Sequence, residues 1–159
     1  AGISPIVRVP GFQHFHASRA LDGGAQGIVF PHVDDAETAM QLVQYCRYPP
    51  VGTRSIYGTL PQLDFEALPL DQATLAINNS MLLVFMLESP NAIANADAIA
   101  AVPGVDALLI GTSDLTMEMG IPGQLDHPDV VAAYETLIQV CDKHGKFPGM
   151  GGIYQPRIA

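Results

Sequence analysis

The sequence predicts an α/β fold, a (β/α)8 barrel or a part of one. Three observations lead there. Five short apolar runs recur at a spacing of about 25 residues, apart from one long insertion, and each leads into a helical pattern or a loop. Runs this apolar are expected to be buried on both faces, as in a parallel sheet covered by helices. Neither a GxGxxG nor a GxxxxGK sequence is present, which weakens a nucleotide-binding sheet. A complete barrel takes about 250 residues, so this chain is short by roughly three strands. Its 159 residues amount to a single domain, 1–159.

Residues 3–9, ISPIVRV, are β-branched and closed by Pro10-Gly11; they are expected to form a buried strand with Arg8 at its C-terminal end. Residues 14–21 read as a helix stopped by Asp22-Gly23-Gly24. Residues 26–30 are the second strand, closed by Pro31, with His32 just beyond it. Asp34 and Asp35 start an amphipathic helix to about Tyr45, with Ala36, Ala39, Met40 and Val43 at helical spacing. Residues 48–70 carry Pro49, Pro50, Pro61, Pro69, Gly52 and Gly58, and read as a long, ordered loop of the kind that is functional or sits at an interface. Residues 71–77 form a short helix.

The central stretch is 81–120. Residues 81–87 are an apolar strand ending on Glu88; a helix over 90–101 follows; residues 107–110 are a second strand leading through Gly111-Thr112-Ser113 to Asp114. The chain continues through a helix at 115–119, a turn at Pro122-Gly123, a helix at 129–144 stopped by Gly145, and a last strand at 147–151.

Glu88 and Asp114 therefore each follow a strand, and parallel neighbours lie about 4.8 Å apart. Paired carboxylates at the C-terminal ends of parallel strands suit a hard divalent cation. The plainer alternative is that Asp114 only caps the helix it opens. Arg8 points to an anion, or forms a structural salt bridge with a nearby acid, which is the simpler expectation. The backbone N–H groups of Ser113 and Asp114 open a helix and could hold a carboxylate or phosphate. His32 could face the same site, although a lone histidine is more often structural. His14, His16, His127 and His144 look peripheral. Arg54 is expected to pin the long loop. Asp22 ends a helix, where the macrodipole disfavours an acid, so a contact with a neighbouring subunit is one reason for it to be there. No GxSxG or other nucleophile triad is signalled.

Composition excludes several partners. At 48% hydrophobic and 14% charged residues the chain should bury a core. Its net charge of −9, with no Lys/Arg run, argues against nucleic acid. No run approaches the roughly 20 apolar residues that span a bilayer, and no signal peptide is visible. Cys46 and Cys141 match no zinc or redox spacing and are expected to be free thiols in a reducing, cytoplasmic compartment.

Five motifs in order resemble one family. They are Pro5-Ile6-Val7-Arg8-Val9-Pro10, Ala20-Leu21-Asp22-Gly23-Gly24-Ala25-Gln26-Gly27, Tyr48-Pro49-Pro50-Val51-Gly52-Thr53-Arg54-Ser55, Leu87-Glu88-Ser89, and Pro103-Gly104-Val105-Asp106 running into Ile110-Gly111-Thr112-Ser113-Asp114-Leu115. Together they are similar to the metal-dependent 2,4-dihydroxyhept-2-ene-1,7-dioate (4-hydroxy-2-oxoheptanedioate) aldolases, a family that includes 2-dehydro-3-deoxyglucarate aldolase and macrophomate synthase. The resemblance implies a (β/α)8 TIM barrel, of which this chain covers family strands three to seven. It implies a class II lyase that joins or cleaves 4-hydroxy-2-oxo acids, with pyruvate and an aldehyde as partners, through a metal-stabilised enolate; such enzymes serve aromatic compound catabolism. Glu88 and Asp114 would ligate Mg²⁺, Mn²⁺ or Co²⁺. Arg8 would bind the keto oxygen, and the N–H groups of Ser113 and Asp114 the carboxylate. Asp22 would reach the active site of an adjacent subunit in a homo-oligomer, typically a hexamer. Two features depart from the pattern. Met86 stands where the family has Gln, on Glu88's side of the strand, and so also beside the substrate. The family's base, a His on an earlier strand, has its place before Ala1. A citrate- or malyl-CoA lyase-like enzyme on the same fold is the first competing reading, and only seven Lys and Arg residues speak against it. A truncated, non-catalytic binding or assembly subunit is the second.

Overall fold

The computed structural model describes residues 2–56 and 58–153. Five strands form one sheet in the order β1 (Ile6–Arg8), β2 (Gly27–Phe30), β3 (Leu82–Leu87), β4 (Ala107–Gly111) and β5 (Phe147–Gly151). Every neighbouring pair is parallel. Each strand thus lies beside its predecessor in sequence, the order that winds a (β/α)-barrel. The linking helices are α1 (His14–Asp22), α2 (Ala36–Cys46), α3 (Leu70–Ser80), α4 (Pro90–Ala94), α5 (Ala96–Ala100), α6 (Thr112–Glu118) and α7 (Pro128–His144).

Local chemistry sets most of these boundaries. Asp35 caps α2 by accepting from Thr38 N–H at 2.7 Å, and Ser89 caps α4 by accepting from Ala92 N–H at 2.9 Å. Gly145 ends α7 in the left-handed conformation that an L side chain resists. The helix expected over 90–101 is broken at Asn95, whose ψ of 3° interrupts the turn, so α4 and α5 are separate.

One face of the sheet holds the core. Ile28, Phe30, Leu83, Phe85, Leu87, Leu108 and Ile110 are fully buried against Leu21, Leu42, Val43, Ile99 and Leu137 from the helices. Phe30 and Phe85 meet edge to face with centroids 5.8 Å apart. On the other face Val84 is buried and Val29, Met86 and Leu109 are half-buried. Helices cover one face, and the second, partly buried, is the face that lines a barrel's interior. The buried strand expected at 3–9 is shorter and exposed, because β1 pairs with β2 alone. In α2 the core positions are Ala39, Leu42, Val43 and Cys46; Met40 points to solvent.

At the N-terminal ends of the strands a polar clamp joins three elements. Arg47 follows α2 and is almost wholly buried. Its guanidinium donates to Asp106 Oδ2 at 2.7 Å, to Gly104 O at 3.1 Å, and to Asn78 O of α3. The same Asp106 oxygen accepts from Leu83 N–H at 2.7 Å. Asn78 in turn bonds both backbone groups of Tyr48, at 2.9 and 3.0 Å.

The clamp also starts the long loop. Thr53 N–H and Arg54 N–H reach back to Gln44 O and Arg47 O at 2.8 and 3.0 Å. Gly52 permits that approach, since a Cβ there would stand 2.8 Å from Gln44 O. Arg54 pins the loop to α1 through Asp22 Oδ1 at 2.6 Å and lies over the Tyr48 ring. Asp22 thus has a local partner that the sequence did not disclose.

Both thiols are free and buried. Burial pushes the Cys46 thiol up to about 12, against the lowering influence of Arg54 and Arg47, and raises Cys141 as well. The thiolate is the nucleophile, so neither residue should react with iodoacetamide at pH 8.5 in the native protein, and both should label fully in denaturant. Rapid stoichiometric labelling of native protein, read by mass spectrometry, would contradict this burial.

Candidate metal centre

Parallel pairing brings the ends of β2, β3 and β4 to one edge. Register pairs Phe30 with Phe85 and Leu87 with Ile110, so His32, Glu88 and Gly111 all lie just past that row. His32 Nδ1 or Nε2, a Glu88 oxygen and an Asp114 oxygen lie within 4.8 Å of one another. Two ligands of one small cation at about 2.1 Å stand roughly 3 to 4.2 Å apart, so modest side-chain rotation closes the set.

Glu88 is the buried member, with a side chain 1% exposed. Its position depends on a missing side chain. A Cβ on Gly111 would collide with the Glu88 carboxylate, coming within 2.6 Å of Cγ and 2.8 Å of Cδ. Loss of solvent raises the Glu88 carboxyl above the usual carboxylate range. The His32 N–H, which donates to Oε2 at 2.8 Å, pulls it back down, and the neighbouring Asp114 carboxylate pushes it up. Two carboxylates facing each other in a partly dry site call for a positive charge. The donor set, oxygen-rich with one imidazole, fits a divalent cation on these grounds.

Asp114 lies in the first turn of α6, and the residue before that helix is Gly111. It is therefore not the helix cap of the plainer alternative. The N–H groups of Ser113 and Asp114 sit in the same first turn, whose donors have no partner inside the helix. Met86 is half-buried on β3, and its carbonyl accepts from Val33 N–H at 3.0 Å. Arg8 ends β1 in register with Val29, and none of the ion pairs among the described residues involves it. The expected structural salt bridge of Arg8 is not formed there.

Asp22 is not brought to this cluster. Together with Arg54 it lines another cleft, of about 410 Å³, with His14, Ser18, Tyr45, Thr53 and Ser55. Of the histidines expected to be peripheral, His127 accepts from Asp129 N–H at the start of α7 and His144 meets Asp97 at 2.9 Å, whereas His14 lines the cleft beside Asp22. Two participants were under-read in the sequence. His32 was weighed as a lone histidine, although its place directly after β2 was a signal. Gly111 looked like a linker glycine, and only the packed Glu88 shows what it is for.

Parallel strands wound in sequence order, with carboxylates converging at their C-terminal edge, define a (β/α)-barrel-type scaffold with a candidate cation site. The family follows from comparison: the chain belongs to the HpcH/HpaI aldolase/citrate lyase family, whose model matches residues 1–148. It is 42% identical over 163 residues to the 4-hydroxy-4-methyl-2-oxoglutarate aldolase tasA of Hapsidospora irregularis, covering 99% of this chain and 59% of that protein. The crystal structure of an HpcH/HpaI aldolase from Desulfitobacterium hafniense DCB-2 superposes with a TM-score of 0.91 at 34% identity, over 98% of this chain and 60% of that one. Macrophomate synthase superposes with a TM-score of 0.80 at 33% identity, over 94% and 53%. The chain thus spans about three-fifths of the length of the curated relatives it matches.

Proposed function

We propose that the protein is a divalent-cation-dependent class II aldolase, joining or cleaving the C–C bond of 4-hydroxy-2-oxo acids, with pyruvate and an aldehyde as the partners. The observation that carries this reading is the convergence of Glu88 and Asp114 at the C-terminal edge of β3 and β4, in a chain of this family. Glu88 and Asp114 would hold the ion, Mg²⁺, Mn²⁺ or Co²⁺. When bound, it supplies Lewis-acid stabilisation of the charge that develops on the keto oxygen.

The residues of this chain do the rest. Arg8 at the end of β1 donates to the same oxygen, and its charge favours the enolate over the ketone, which lowers the barrier to losing the methyl proton. The N–H groups of Ser113 and Asp114 orient the substrate carboxylate. Met86 presents an apolar wall beside Glu88 and excludes water there. Asp22, held in place by Arg54, serves the active site of an adjacent subunit in a homo-oligomer, a hexamer by the resemblance. The loop from Tyr57 to Leu70 shapes acceptor choice; Tyr57 itself lies outside the described residues. No helix of the described residues is long and apolar enough to cross a membrane, and the enzyme is proposed to act in the cytoplasm.

The test is pyruvate release from 4-hydroxy-2-oxo acids by the full-length protein after exhaustive chelation. Release should vanish without metal and return with Mg²⁺, Mn²⁺ or Co²⁺. Undiminished release in chelator would exclude the cation mechanism. No release with any metal, and no pyruvate binding, would favour the binding-subunit reading.

A further inference from the structure

His32 occupies backbone that needs a reason. Its φ is 52°, in the left-handed region that few non-glycine residues adopt. The strained turn is fixed on both sides. His32 N–H is held by Glu88 Oε2 at 2.8 Å, and the next residue, Val33, is buried and bonded to Met86 O at 3.0 Å. One position further, the Asp34 carboxylate accepts from Ser89 Oγ at 2.5 Å and its carbonyl from Asn95 Nδ2 at 2.8 Å. The turn is thus stitched to β3 and α4, and it sets the imidazole against the carboxylate, with Nδ1 at 3.5 Å from Glu88 Oε2. A proton on Nδ1 or a cation shared with Glu88 satisfies that approach, and the Asp114 carboxylate within 4.8 Å of both favours the cation.

We propose that His32 is a third protein ligand of the cation site, beside Glu88 and Asp114, and that it shifts the site's preference from Mg²⁺ toward borderline transition ions such as Co²⁺. The inference rests on the cation-site reading above. Its chemistry is ligand softness: carboxylate and water suit Mg²⁺, whereas imidazole adds affinity for Mn²⁺, Co²⁺, Ni²⁺ and Zn²⁺. The left-handed backbone serves to place the ring rather than to turn the chain, since glycine would turn it without strain.

The experiment compares His32→Gly and His32→Asn with the parent full-length protein. Both replacements tolerate positive φ and keep the backbone N–H that holds Glu88, while removing the imidazole. Calorimetric titration of metal-free protein should show Co²⁺ affinity falling about 10- to 100-fold in both variants, with Mg²⁺ affinity within about threefold of the parent. Mn²⁺ bound to the parent should show ¹⁴N coupling from a coordinated imidazole by pulsed electron paramagnetic resonance, and the variants should not. Equal losses for Mg²⁺ and Co²⁺ would overturn the proposal, leaving His32 only to orient Glu88. Unchanged affinities with no ¹⁴N coupling in the parent would overturn it too. A parent that binds neither ion would remove the cation site itself, a failure distinct from these.

Discussion

Glu88→Gln is expected to lower pyruvate release by about 10³-fold or more and to abolish cation binding, without loss of fold. The rate estimate follows from the 10²- to 10³-fold scale of removing one preorganised electrostatic stabiliser, compounded by loss of the ion that Glu88 is proposed to hold. The fold should survive because glutamine keeps the shape and still offers an oxygen to the His32 N–H. The pH dependence gives a second readout. Burial raises the Glu88 carboxyl in the folded protein. A raised pKa means that its stabilising, protonated form prevails below the unfolded value, and that this contribution is lost as pH rises through the folded value. Metal-free parent protein should therefore be relatively less stable at pH 7 than at pH 5 on account of this group. Glu88→Gln should remove that component and melt no lower than the parent at pH 7. A variant that keeps a tenth or more of the parent's activity would sink the assigned role of Glu88.

Arg47→Ala is expected to cost about 3 kcal/mol or more of stability while leaving metal affinity unchanged. A nearly buried guanidinium paired with Asp106 and two carbonyls cannot be removed without leaving those acceptors facing a cavity. Breaking one side of a buried pair costs about 3–5 kcal/mol, and the half-exposed Asp106 side chain places this case at the low end. The midpoint of urea unfolding measures it, with the slope as a check that the unfolded state is unchanged. A shift worth less than about 1 kcal/mol would show that water replaces the guanidinium without penalty.

Much of this was legible before folding. The strand count, the parallel order and the acids after β3 and β4 follow from apolar runs of strand length that end on charged or glycine-containing turns. Of the two uses open to Arg54, pinning the loop or reaching the mouth, the pairing with Asp22 matches the first. What stayed hidden depended on distant pairing. Nothing around Asp22 announces that a residue of the 48–70 loop will neutralise it. The run 90–101 carries a continuous helical pattern, and the bond from the Asn95 amide to the Asp34 carbonyl, which accompanies the break at Asn95, joins residues 61 positions apart. β1 and β5 are exposed as the two edges of this sheet, in a chain that spans about three-fifths of its relatives' length.

The empty space above Gly111 ties two positions of the chain into one heritable unit. Position 111 has no side chain of its own to select, yet every substitution there would be felt at Glu88. A side chain at 111 has to be met by a displacement of the Glu88 side chain from its present place. Within a divergent set of sequences, an alanine or larger residue at 111 would therefore be expected to travel with a change at 88 or with a displaced acid there. A position without a side chain thus shares its evolutionary fate with a carboxylate 23 residues away in the sequence.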